Sequence, residues 1–178
     1  PPEFIGAANY TAVAPRIYTS RAGPESGYTS AMTVPSPYHS RTLALCESLQ
    51  FKDWAGYHAV TSYDTCHERE YHAFRSSAGL IDVSPLYKYR ITGTDATAYL
   101  DRLITRRIRS VKVGTVVYTC WCDERGKVLD DGTVTRIGKE EYRLTSADPN
   151  LHWLLDVAYG MNVEIEDVSD QLCALSLQ

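Results

Sequence analysis

The chain of 178 residues has no apolar run near the roughly 18 residues that would suggest a membrane span, and no signal-peptide pattern is evident at its N-terminus. It has no excess of positive charge: 18 Lys and Arg against 22 Asp and Glu leave a net charge of −4. That balance argues against a general affinity for nucleic acid or anionic membrane. No P-loop, G-x-G-x-x-G pattern or Ser/His/Asp elbow appears, so the common signatures of nucleotide binding and serine hydrolysis are missing. Phenylalanine is scarce, three against thirteen tyrosines. Several of those tyrosines must therefore keep a hydroxyl near solvent or a polar partner. The five cysteines, at 46, 66, 120, 122 and 173, are odd in number and are not spaced like a secreted disulfide framework. A reducing, intracellular compartment is expected, the cytoplasm or, in a eukaryote, the mitochondrial matrix.

What is present suffices for one sizeable domain, since 44% of the residues are hydrophobic. Six of the eight prolines fall within the first 37 residues, among Gly, Ser, Thr and Tyr and without helical or strand periodicity. Residues 1–36 are expected to be an extended or disordered tail and 37–178 the domain. The chain begins at Pro1 rather than Met, as a processed or cut chain would.

Helices and strands alternate from there. A short helix is expected around Arg41 to Leu49, then a turn at Ala55 and Gly56 in "FKDWAGYHAV". Thr65 and Glu68 read as the capping box of a second helix that presents His67, Tyr71, Phe74 and Ala78 on one face and ends at Gly79. "LIDVS" and "YKYRITG" read as strands, the latter alternating Tyr87, Tyr89 and Ile91 against Lys88, Arg90 and Thr92. Thr94 or Asp95 caps a third helix whose Ala96, Tyr99, Leu100, Leu103 and Ile104 share an apolar face. Strands follow at about Thr115 to Cys122, Lys127 to Ile137 and Glu141 to Ser146. Asp148 and Pro149 open a fourth helix ended by Gly160, and "NVEIEDVSD" and "QLCALSLQ" supply two more strands. The hairpin-length links imply antiparallel pairing, so the fold class is α+β, an antiparallel sheet with packed helices.

Within "GKVLDDGTVTRI", strand alternation sends Asp130 and Asp131 to opposite faces, which excludes a carboxylate dyad. A four-residue loop from Asp123 to Gly126 pairs Cys122 with Lys127 and sets Tyr118 opposite Asp131, while a bulge at Gly126 would shift that pairing by one. On this register Asp131 shares its face with Tyr118, Cys120, Cys122 and Thr133, and Asp130 lies with Thr119 and Trp121. One aspartate can face solvent; the other needs a partner or a cavity. Gly132 allows a bulge or the close approach of a ligand.

Cys120 and Cys122 lie on one face about 7 Å apart in a strand, but no second cysteine cluster completes a structural zinc site. His67 and His72 fall on different helical faces, which argues against a shared metal. Arg102, Arg106, Arg107, Arg109 and Lys112 form either a solvated helix end or a docking surface for something acidic, and the sequence does not choose between the two.

The segment from "AGLIDVS" through "ITGTDA" and "GKVLDDG" to "LTSADPN" resembles the first half of the glycine-cleavage T-protein, the aminomethyltransferase family. The family carries A-G-L-x-D-V-S, T/K-G-x-D-A, L-x-P-G-x-x-x-Y and G-x-x-x-D-D in this order, and the likeness runs from about Ser36 to Gln178. It implies the family's folate-binding domain, with tetrahydrofolate as cofactor in a central cleft. It implies Asp131 as the catalytic aspartate and Tyr118 as a folate contact. It also implies Leu86, in "SPLYK", where the family has a methionine that packs on folate, and Ser146 where the family has an asparagine near the pterin. The family's T-N-D becomes "TRR". The activity implied is one-carbon (aminomethyl) transfer from the lipoyl arm of a carrier protein, in a chain that is the first part of a longer one. A folate-dependent demethylase, or the folate domain of an amine-oxidising enzyme, shares the domain with another donor; a non-catalytic folate-binding or iron–sulfur assembly scaffold is the reading that Asp131 argues against.

Overall fold

The computed structural model describes residues 33–178, so residues 1–32 of the tail expected over 1–36 lie outside it. In chain order the strands are β1 (Val34–Pro35), β2 (Gln50–Trp54), β3 (Tyr57–Ser62), β4 (Leu80–Asp82), β5 (Tyr87–Thr92), β6 (Val116–Cys122), β7 (Val128–Arg136), β8 (Glu141–Ser146), β9 (Glu164–Asp167) and β10 (Leu175–Leu177). The helices are α1 (His39–Thr42), α2 (His67–Ser76), α3 (Ala96–Leu103) and α4 (Leu151–Val157). The class is α+β as expected. The main sheet has five antiparallel strands in the order β6-β7-β8-β5-β9; β2 and β3 form a hairpin, and β4 pairs with β10. One pairing is parallel: β1 runs beside β3, so paired backbone begins at Val34, ahead of the expected start at residue 37.

The core lies on one face of the five-stranded sheet. Tyr87, Tyr89 and Ile91 of β5, with Val134, Tyr142 and Leu144, bury against Ala96, Tyr99, Leu100 and Leu103 of α3 and Leu154 of α4. Each large side chain removed from water contributes about 1.5–3 kcal/mol. The buried tyrosines meet the demand their hydroxyls impose: Tyr99 donates to the Leu154 carbonyl at 2.9 Å, Tyr142 shares a hydrogen bond with Thr97, and Tyr89 accepts the Asn150 N–H at 2.9 Å. Burial pushes the Tyr89 phenol up to about 12 and the Tyr99 phenol further.

Several local expectations need correction. The first helix is only His39–Thr42 followed by a 3-10 turn, Leu43–Leu45. The capping box of α2 does not form: the helix begins after Cys66. Glu70 accepts the N–H groups of Tyr63 and Asp64, and Asp64 accepts that of Cys66, so carboxylates satisfy the approach to the helix. Gly79 caps nothing; it exchanges backbone hydrogen bonds with Gln178 beside the β4–β10 pair. The fourth helix starts at Leu151 with Asn150 at its N-cap, because Asp148 is held elsewhere, as described below. The turn at Ala55 and Gly56 forms as expected, with φ of 52° and 81°.

Candidate functional site

The register of the β6–β7 hairpin differs from expectation by two residues. Asp123 and Lys127 close a tight loop in which Gly126 adopts φ +76°, and the Asp123 side chain accepts the N–H groups of Arg125 and Lys127. This shorter turn shifts the pairing by one, so Cys122 faces Val128. The next pair is Trp121 with Asp130, which leaves Leu129 as the extra residue of a bulge and shifts the register once more. Tyr118 therefore pairs with Thr133, and Asp131 with Cys120. Two shifts restore the original faces, so Asp131 still shares its side of the sheet with Tyr118. The two residues are diagonal neighbours, within reach for a long side chain. The Tyr118 hydroxyl donates to the Asp131 carboxylate, and that acceptor holds the phenol above its ordinary pKa.

Asp130 and Asp131 are separated as alternation requires. Asp130 is 6% exposed and takes three donors: the N–H of Asp131 at 2.7 Å, the N–H of Asp148 at 3.1 Å and the Asn150 amide at 2.7 Å. It ties β7 to the loop between β8 and α4 and fixes the backbone from which Asp131 projects. Asp131 itself is exposed. Asn150 extends this network to the core, accepting from the Trp121 indole at 3.5 Å.

On the face of the sheet opposite the core, Tyr118, Thr133, Thr145 and Lys88 stand in one row across β6, β7, β8 and β5. Beside this row lies a cleft of about 240 Å³ lined by Leu86, Tyr118, Asp131, Gly132, Thr133, Thr145, Ser146 and Ala147. All four residues singled out in the sequence, Leu86, Tyr118, Asp131 and Ser146, meet here. They do not meet in the same way. Tyr118 is 62% exposed, whereas Ser146 is 1% exposed and already donates its hydroxyl proton to the Asp148 carbonyl at 2.9 Å. Gly132 contributes only backbone to the cleft; a Cβ there would lie 1.8 Å from the Thr145 carbonyl oxygen of the neighbouring strand.

Lys88 is what sequence reasoning missed. Alternation placed it correctly, facing away from Tyr87 and Tyr89, but not as a buried residue. It is 3% exposed, and its ammonium donates to the carbonyls of Ser84 at 2.9 Å and Leu86 at 2.7 Å. Burial lowers its pKa, and the negative charges of Asp167 and Asp170 oppose that shift. The amine thus anchors the turn that carries Leu86 to the cleft. Asn150 was missed because its partner, Asp130, lies twenty residues away on β7.

A larger hollow of about 300 Å³ lies between the β2–β3 hairpin, α2 and β4, lined in part by Trp54, His58, Glu70 and Asp82. Its carboxylates are already engaged within the protein: Glu70 accepts from Tyr63 and Asp64, and Asp82 from Ser36 and Ser84. Among the described residues no cluster of His, Cys, Asp and Glu could hold a metal, and no helix is long and apolar enough to cross a membrane. In the basic segment Asp101 pairs with Arg109 at 3.3 Å and accepts the Ile108 N–H at 2.6 Å.

A family model described as the GCVT N-terminal domain matches residues 20–178. An aminomethyltransferase of Clostridium botulinum (strain Loch Maree / Type A3) is 36% identical over 130 residues, 71% of this chain and 35% of that protein. A trimethylamine-oxide aldolase of Ruegeria pomeroyi is 32% identical over 151 residues, 83% of this chain and 19% of that protein. The fold is that of the glycine cleavage system aminomethyltransferase T from Bartonella henselae, with a TM-score of 0.72 at 23% identity over 84% of this chain and 41% of that one. The chain spans about a third of the length of the curated aminomethyltransferases it matches.

Proposed function

The chain belongs to the family of the GCVT N-terminal domain, and from that premise we propose that it is the folate-binding part of a tetrahydrofolate-dependent one-carbon transferase acting on aminomethyl groups. The observation that carries this reading is the convergence of Leu86, Tyr118, Asp131 and Ser146 on one cleft. The residues suit a reduced pterin. Gly132 contributes only backbone, Leu86 gives an apolar wall, the exposed Tyr118 ring can cover a planar group, and the exposed Asp131 carboxylate accepts N–H donors.

When bound, tetrahydrofolate supplies the nitrogen that receives the one-carbon unit. Asp131 is the residue we assign the catalytic role: its carboxylate would hold the N–H edge of the pterin and could take up the proton that the transfer releases. Tyr118 keeps that carboxylate directed through its hydroxyl. Asp130 and Lys88 act behind the cleft, the first on the backbone of Asp131 and the second on the turn of Leu86. The aminomethyl group would arrive on the lipoyl arm of a carrier protein.

A second donor class has an observation in its favour. The likeness to the trimethylamine-oxide aldolase covers 83% of this chain, against 71% for the aminomethyltransferase. A methylated amine is therefore the alternative source of carbon. The test uses the longer protein that contains this domain, supplied with tetrahydrofolate and either an aminomethylated lipoyl carrier or a methylated amine. Ammonia release with methylene-tetrahydrofolate from the carrier supports the first reading; product from the amine alone replaces it with the second; turnover of neither overturns both.

A further inference from the structure

Four side chains along the cleft carry a hydroxyl proton, and two of them have already committed it. Tyr118 donates to the Asp131 carboxylate, and Ser146 donates to the Asp148 carbonyl at 2.9 Å. Thr133 and Thr145 line the same cleft, and among the described residues neither hydroxyl has a hydrogen-bond partner. The two are cross-strand partners on β7 and β8, so their side chains stand about 5 Å apart on one face. Val134 and Leu144, the next pair along, are fully buried, which fixes both threonines on the face opposite the core. Each threonine is half-buried. The groups that flank them in the row are held elsewhere: Tyr118 by Asp131, and the Lys88 ammonium by the carbonyls of Ser84 and Leu86.

We propose that Thr133 and Thr145 act as a paired hydroxyl donor to the ring carbonyl of the bound pterin, an inference that rests on the folate reading above. A reduced pterin presents two kinds of group along one edge: ring and amino N–H groups that donate, and a carbonyl oxygen that accepts. Asp131 serves only the first kind, because an ionised carboxylate has no proton to give. The carbonyl needs a donor, since an acceptor taken out of water and left unpaired costs more than a made hydrogen bond returns. Among the side chains that line the cleft, only the two threonines have a proton to offer. Their position agrees with that role. Thr133 lies two residues beyond Asp131 on the same face of β7, about 7 Å away, which is comparable to the long side of a bicyclic ring. A carbonyl oxygen has two lone pairs, so it can accept from both hydroxyls at once.

The test is calorimetric titration of the full chain with tetrahydrofolate, for the wild type and for Thr133→Val, Thr145→Val, Thr133→Ser and Thr145→Ser. Valine keeps the shape of threonine and removes the hydroxyl; serine keeps the hydroxyl and removes the methyl. The expected result is an affinity about three- to tenfold weaker in each valine variant, the loss of one hydrogen bond, and within about twofold of the wild type in each serine variant. Thermal melts should show the valine variants folded, because neither hydroxyl bonds another described group of the chain. Wild-type affinity in both valine variants would overturn the proposal and leave the folate reading standing. Equal weakening by valine and serine would overturn it in favour of packing alone. Absence of binding by the wild type would overturn the proposal and the folate reading together.

Discussion

The Tyr118 hydroxyl hydrogen-bonds the Asp131 carboxylate although the two residues are not paired across the strands: Tyr118 faces Thr133 and Asp131 faces Cys120. Because the bond is diagonal, it depends on the two register shifts that the tight loop at Gly126 and the bulge at Leu129 introduce together. One shift without the other would have sent Asp131 to the core side.

Asp130 and Asp131 are expected to respond oppositely to truncation. Asp130→Ala strands three donors in a buried setting and should lower unfolding free energy by about 3 kcal/mol. Asp131→Ala, at an exposed position, should change it by less than about 0.5 kcal/mol. Urea unfolding of the two variants measures the difference.

The Tyr118 phenol should ionise above its ordinary value of 10.0 in the wild type and return toward it in Asp131→Asn, because the carboxylate is the first cause of the shift. NMR titration with tyrosine labelled at the ring carbon bearing oxygen reads this residue among the thirteen.

Lys88 gives a pH dependence of defined sign. Its folded pKa lies below the ordinary 10.5. At lower pH both states hold the proton and the folded state bears the cost of burying it. Above the lowered pKa the folded chain releases it while the unfolded chain keeps it, so stability rises with pH up to about 10.5. The stability of wild type minus that of Lys88→Met, followed by urea unfolding from neutral pH upward, should increase over that window. A flat or falling difference would contradict the assignment.

Gly132→Ala would drive a methyl to 1.8 Å from the Thr145 carbonyl oxygen, and backbone rather than a flexible side chain must yield. A loss on the order of 2 kcal/mol is expected, with a lower thermal midpoint. It should weaken ligand binding as well, since the backbone lining the cleft moves with it.

The parts of this fold that were legible in the sequence are those set by periodicity. The apolar face of α3 and the buried Tyr87, Tyr89 and Ile91 of β5 follow from spacing alone, and the opposite faces of Asp130 and Asp131 follow from alternation. Register was not legible, because it depends on how Gly126 closes a turn and where Leu129 is left unpaired. Nor was the burial of Lys88, whose partners are the carbonyls of a neighbouring turn rather than side chains. Leu86, Tyr118, Asp131 and Ser146 were picked out by resemblance; their meeting at one cleft is a property of the folded chain.

The central claim, that the Tyr118–Asp131 cleft holds tetrahydrofolate, is tested most directly by calorimetric titration of the chain with tetrahydrofolate, wild type against Asp131→Asn. The predicted result is micromolar binding by the wild type and an affinity about tenfold or more weaker in the variant, the loss expected for a charge-assisted hydrogen bond. No binding by the wild type, or equal affinity in both proteins, would contradict it.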